Sequence, residues 1–142
     1  MAKGKYDKYI TTEVVKEVPD KPGVFVTSTR HLGDKFGGGH LSVDSIYVTK
    51  PHLMITQPHK HEFPQYIHFF SANPNDPTDF DAEIEITLGE EQEKHIITSP
   101  VAAYFPAGLL HGPIEFKKVT KPLLFVDIAV TGKYSRVGNT PD

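Results

Sequence analysis

Cysteine is absent from the 142 residues, which excludes disulfides, thiolate nucleophiles and thiolate metal ligands, and is compatible with a reducing compartment. Long apolar runs are missing as well. The longest, residues 123–130, is interrupted by Asp127 and falls far short of the roughly 20 residues of a membrane span. Charge of one sign is scarce: 15 Lys+Arg against 18 Asp+Glu leave a net charge of −3. That offers no electrostatic basis for nucleic acid or an acidic membrane as partner. The N-terminal residues carry no apolar stretch of the kind a secretion signal needs. A cytoplasmic chain without nucleic-acid or membrane partners is expected. Clean helical periodicity is the last absence, for no long segment shows it.

What remains is a set of short strands and the breakers between them. A composition of 38% hydrophobic and 23% charged residues fits a globular domain large enough to bury a core. Residues 24–29, 41–49, 53–57, 66–71, 83–88, 94–99, 101–105 and 123–130 read as strands. Segment 83–88 alternates strictly, which sends Ile84, Ile86 and Leu88 inward and Glu83, Glu85 and Thr87 toward water. With a turn at 89–92 it forms a hairpin ending near Ser99. Residues 9–18 suit either a strand or a short helix, and 72–79 read as an exposed loop. The 12 Pro and 11 Gly lie mostly between the strands. An all-β sandwich or closed barrel is expected.

Two short motifs carry the chemistry: His59-Lys60-His61-Glu62-Phe63-Pro64-Gln65 and Pro106-Ala107-Gly108-Leu109-Leu110-His111. In a chain with this histidine content about 0.45 His-x-His pairs arise by chance, but only about 0.05 Pro-x-Gly-x-x-His motifs. If 53–61 runs as one strand, Leu53, Ile55, Gln57, His59 and His61 share a face. Pro64 then permits a reversal, and Gln65, Ile67 and Phe69 share a face of the returning strand. His52 and His68 point away. Three imidazoles and a carboxamide suit one divalent ion, with Fe²⁺, Mn²⁺, Zn²⁺, Ni²⁺ and Cu²⁺ all compatible.

These pieces resemble the two motifs of the cupin superfamily, His-x-His followed after three or four residues by Glu, and Pro-x-Gly-x-x-His. The resemblance implies an all-β cupin-type double-stranded β-helix, a jelly-roll barrel, as a single domain over residues 1–142. An N-terminal arm or edge strand would occupy 1–23, the barrel 24–131 and a tail 132–142. It also implies metal ligation by His59, His61 and His111, with Gln65 where the family usually has glutamate. Pro100 replaces the glycine that opens the second motif, and Glu115 stands where an asparagine often follows the last histidine. Gln65 is the departure with chemical content. A neutral donor set leaves the ion its full 2+ charge, a stronger Lewis acid and a better host for an anionic ligand. Alternatively, Gln65 orients a ligand water.

Cupins host dioxygenases, isomerases, lyases, sugar binders and storage proteins, so the fold does not specify the reaction. The expected function is a metal-dependent small-molecule enzyme, with an oxygenase favoured over an isomerase or lyase. The competing reading is a non-catalytic binding module. The resemblance further implies a homodimer, for which residues 8–18 offer a strand to a partner's edge. The remaining candidates have plainer readings. His31, His40, His52, His68 and His95 lack partners at ligand spacing and read as surface or half-buried residues. Glu62 reads as a solvated turn residue, while Gln57 reads equally as a substrate contact or a hydrogen-bonded barrel group. Gly37-Gly38-Gly39 reads as a loop rather than a phosphate cradle, and Asp76, Asp79 and Asp81 as a solvated loop. Tyr47, Tyr66, Phe69 and Tyr104 read as core, with one or two lining a pocket.

Overall fold

Ten strands follow from the alternation and the breakers, most of them where the sequence places them. The computed structural model describes residues 4–19, 21–38, 40–131, 133–135 and 137. The strands are β1 (Val15–Glu17), β2 (Phe25–Ser28), β3 (Ser42–Val48), β4 (His52–Ile55), β5 (Gln65–Ser71), β6 (Ala82–Leu88), β7 (Glu93–Ile97), β8 (Val101–Phe105), β9 (His111–Val119) and β10 (Leu123–Ala129). Two short 3₁₀ helices, Asp7–Tyr9 and Arg30–Lys35, complete the elements. The ambiguous 9–18 segment thus resolves into the end of a 3₁₀ turn and a three-residue strand. No helix among the described residues is long and apolar enough to cross a membrane.

Antiparallel pairing builds a six-stranded sheet, β1-β2-β3-β10-β5-β8, and a four-stranded sheet, β4-β9-β6-β7. Their inner faces supply one core. Ile67, Phe69, Phe105 and Phe125 of the first sheet pack with Ile84, Ile86, Ile114 and Phe116 of the second, and the Phe69 and Phe116 rings meet edge to face at 5.8 Å. This is a jelly-roll sandwich of two separate sheets rather than one closed ring of strands. Truncating Phe69, which is fully buried, should destabilise the fold by about 3–5 kcal/mol.

Three local expectations give way, and one strand, β9, carries no sequence signal. β9 is the longest strand, although Gly112 and Pro113 near its start disguise it as a turn. Thr87 is buried, against the simple alternation, because the β6–β9 register shifts between Ile86 and Leu88. Residues 53–61 do not form one strand: β4 stops at Ile55, and His59 re-enters pairing only as an isolated bridge with His111. Tyr47, Tyr66 and Tyr104 are 44–63% exposed rather than core, since they lie on the outer face of the six-stranded sheet. Phe69 is core, as expected.

Candidate metal centre

The site begins with main-chain geometry. His59 and His111 exchange both backbone hydrogen bonds, each 2.9 Å, and the Gly108 N–H donates to the His61 carbonyl at 2.8 Å. The two motifs are therefore joined by backbone before any side chain is considered. Gly112 permits the approach. Its φ is +107°, and a Cβ there would lie 2.9 Å from Ile55 Cγ2 and 3.0 Å from the Gln57 carbonyl. Only glycine tolerates both the conformation and the crowding.

All three imidazoles are buried, and their nitrogens lie within 4.8 Å of one another, a group able to hold a metal ion. Ring centroids are 4.5 Å apart for His59–His111, 4.9 Å for His59–His61 and 5.3 Å for His61–His111. The outer nitrogens face main-chain oxygens: Nδ1 of His111 meets the Leu109 carbonyl at 3.0 Å, that of His59 the Gln57 carbonyl at 3.4 Å, and that of His61 the Ser135 carbonyl. A carbonyl only accepts, so each contact places a proton on Nδ1, which makes Nε2 the nitrogen that could ligate. Phe63 stacks on His61 at 4.7 Å and Phe105 tilts against His111 at 4.6 Å, which covers these two rings with hydrocarbon.

Gln65 opens β5 on its inward face with Ile67 and Phe69, all three buried, and pairs across the sheet with Phe105. Its Nε2 donates to both carboxylate oxygens of Asp127, at 3.1 and 3.0 Å. Its Oε1 is buried and has no hydrogen-bond partner among the described residues. An orphaned buried oxygen costs about 1–3 kcal/mol. The donor chemistry of the three imidazoles fits a divalent ion.

Three further residues complete the surroundings. Asp127 is turned inward by the alternation of β10 and sits beside Asp44 of β3. Arg30 reaches between these like charges, 3.0 Å from Asp127 and 3.4 Å from Asp44. Burial pushes the Asp127 carboxyl above the usual carboxylate range, and Arg30 pulls it back only in part. Tyr134 lies with its ring 3.8 Å from the Arg30 guanidinium, and its hydroxyl is 3.3 Å from His61 Nε2. The Val137 N–H donates to the Lys60 carbonyl, which ties the segment beyond Tyr134 to the first motif.

Sequence reasoning passed over Arg30, Asp127 and Tyr134. Asp127 had a signal, as the lone charge in an apolar run; the other two had none. His31, His40, His52 and His95 are exposed and His68 is half-buried, as expected. Gln57 is exposed and contributes its main-chain carbonyl to His59, and Glu62 is exposed. Gly37 and Gly38 occupy a turn; Gly39 lies outside the described residues. Asp76 is exposed, while Asp79 pairs with Lys121 and Asp81 with Lys118.

No protein-family model and no curated protein sequence matches this chain. Among solved structures it is similar to oxalate decarboxylase from Bacillus subtilis at pH 4.6, with a TM-score of 0.50 and 14% identity over 78% of this chain. The chain spans about a quarter of that protein's length, 26%. An oxalate oxidase gives a TM-score of 0.46 at 12% identity, over 69% of this chain and 45% of that one, too slight to argue from. The likeness to the decarboxylase shows a shared fold.

Proposed function

We propose that this chain, a cupin by fold, is a small-molecule metalloenzyme in which His59, His61, His111 and Gln65 hold one divalent metal ion. The observation that carries the proposal is the buried imidazole trio with each Nδ1 engaged by a main-chain carbonyl. Gln65 joins it on the strength of its unanswered Oε1. When bound, such an ion supplies Lewis acidity and, if redox-active, one-electron chemistry.

The chain's own residues supply the rest. Main-chain carbonyls fix the imidazoles, and Phe63 and Phe105 keep water from the rings they cover. The Tyr134 hydroxyl, beside His61, is placed to orient a small anionic substrate. Arg30 is already matched by two carboxylates. Asp127 is engaged by Arg30 and Gln65, so isomerase and lyase chemistries, which need a free proton acceptor, are less well served than an oxygenase. Oxalate, named for the structural neighbours, heads the substrate screen.

The proposal treats residues 1–142 as one cytoplasmic domain that pairs as a homodimer. The outer face of the six-stranded sheet carries Tyr47, Tyr66, Phe70 and Tyr104, all exposed, around His68 and Ala102. The residues of β3, β5, β8 and β10 that share this face include no Asp, Glu, Lys or Arg. Two copies can meet there without like-charge repulsion. Residues 8–18 contribute β1, whose exposed edge is a second place for a partner strand.

Elemental analysis of freshly purified protein, followed by a substrate screen under air and under nitrogen, tests the function. Stoichiometric metal and turnover that disappears with a chelator are expected, and loss of turnover without O₂ selects the oxygenase. Turnover that survives metal removal ends the proposal, and metal without turnover on any small anion leaves the non-catalytic binding module.

A further inference from the structure

Position 65 lacks the charge that a glutamate would bring, yet a carboxylate stands one hydrogen bond behind it. β5 and β10 are neighbours, with Gln65 opposite Ala129 and Ile67 opposite Asp127, so the two inward side chains meet diagonally. Both Asp127 oxygens accept from Gln65 Nε2. An ionised carboxylate has nothing to donate and can only face the NH₂ end of the amide. The orientation of Gln65 is therefore fixed, with Oε1 turned away from Asp127. Asp127 itself cannot swing, since Arg30 holds it from one side and is held in turn by Asp44. Hydrogen bonds in series polarise one another, and a carboxylate at the N–H end of an amide raises the electron density on its oxygen.

We propose that Asp127 is a positioning residue for the metal ligand Gln65: it holds the amide with Oε1 available to the ion and passes to that oxygen part of the negative charge a glutamate would carry. This rests on the metal reading of the site. The carboxylate of the common motif is, in effect, displaced by one hydrogen bond, and Arg30 and Asp44 keep it there.

Reciprocal exchange tests the idea. Zn²⁺ affinity is measured by calorimetry on the parent protein, D127N, Q65E, the double variant Q65E/D127N, and H59A. In D127N the Arg30 N–H still demands the one remaining acceptor oxygen. The new NH₂ then faces Gln65, whose amide turns over and presents NH₂ to the ion. Affinity should fall about 10–100-fold. Q65E sets two carboxylates against each other, whereas in the double variant the new amide at position 127 donates to the new carboxylate at position 65 and every group is satisfied. The double variant should therefore bind at least about tenfold more tightly than D127N. D127N binding within about threefold of the parent, while H59A has lost the ion, overturns the inference and leaves the metal centre standing. H59A binding like the parent overturns the metal centre itself. Should D127N fail to fold, the double variant decides: affinity within about tenfold of the parent upholds the inference, and a larger loss overturns it. The parent protein gives a further readout in the NMR signals of the Gln65 side-chain NH₂. They should be protected from exchange and shift on Zn²⁺ addition; signals that exchange freely and ignore the metal overturn the proposal.

Discussion

The polar cluster around Gln65 and the ion pairs on the outer face of the four-stranded sheet obey the same alternation with opposite results. On β10 the alternation turns Asp127 inward, where burial pushes its carboxyl up. On β6 it turns Glu85 outward, between Lys117 at 2.7 Å and Lys94 at 3.7 Å. The lysines, Lys117 foremost, hold Glu85 below its ordinary range. Both regions contain paired charges, but only the buried one strains against its surroundings. A cation near water can be removed with little consequence, whereas a buried carboxylate stripped of its partner is costly. The difference marks which charges the fold retains for what they hold.

The sharpest break in that comparison is expected at the imidazoles. His59→Ala should abolish stoichiometric metal, read by elemental analysis, while the exposed His95→Ala should leave it intact. Arg30→Met comes next. It leaves Asp127 without its cation, and urea unfolding of the metal-free protein should show a loss of about 3 kcal/mol. Metal should act in the opposite sense: an ion at a hundred times its Kd should add about 2.7 kcal/mol to the parent and nothing to His59→Ala, read as a shift in melting temperature.

Acidity separates the two regions by sign. The folded-state pKa of Asp127 is raised, so its contribution is present at low pH and is lost as pH rises through that value. The melting temperature of metal-free D127N, relative to the parent, should therefore climb as pH rises through the acid range. Glu85 is lowered, so its contribution is present above the ordinary glutamate range and is lost as pH falls. Glu85→Gln should show the smallest effect of all, a slight deficit at neutral pH that closes on acidification. A deficit that widened in acid would contradict the assignment.

Much of this arrangement was legible in sequence because it depends on local periodicity. Ile84 and Ile86, or Gln65, Ile67 and Phe69, announce their faces by spacing alone, and the imidazole trio is readable from two short motifs. The sequence is mute where a strand carries its own breakers, as β9 does at Gly112 and Pro113, and where a register shift changes the parity, as at Thr87. It is also mute about partners distant in the chain. Arg30 and Asp127 are 97 residues apart, and nothing in either neighbourhood names the other. Aromatic strand residues mislead for a further reason: Tyr66 and Tyr104 lie tilted against each other, ring centroids 5.1 Å apart, on an outer face, and hydrophobicity alone does not say which side of a sheet is inside.

The reciprocal backbone pair between His59 and His111 has a consequence beyond binding. Because amides rather than imidazoles set the spacing between these positions, the frame does not depend on which donor each one carries. Exchanging a histidine for aspartate or cysteine alters the hardness of the cage and leaves its ruler in place. Under the proposed metal reading, the donor set is thereby open to revision one codon at a time.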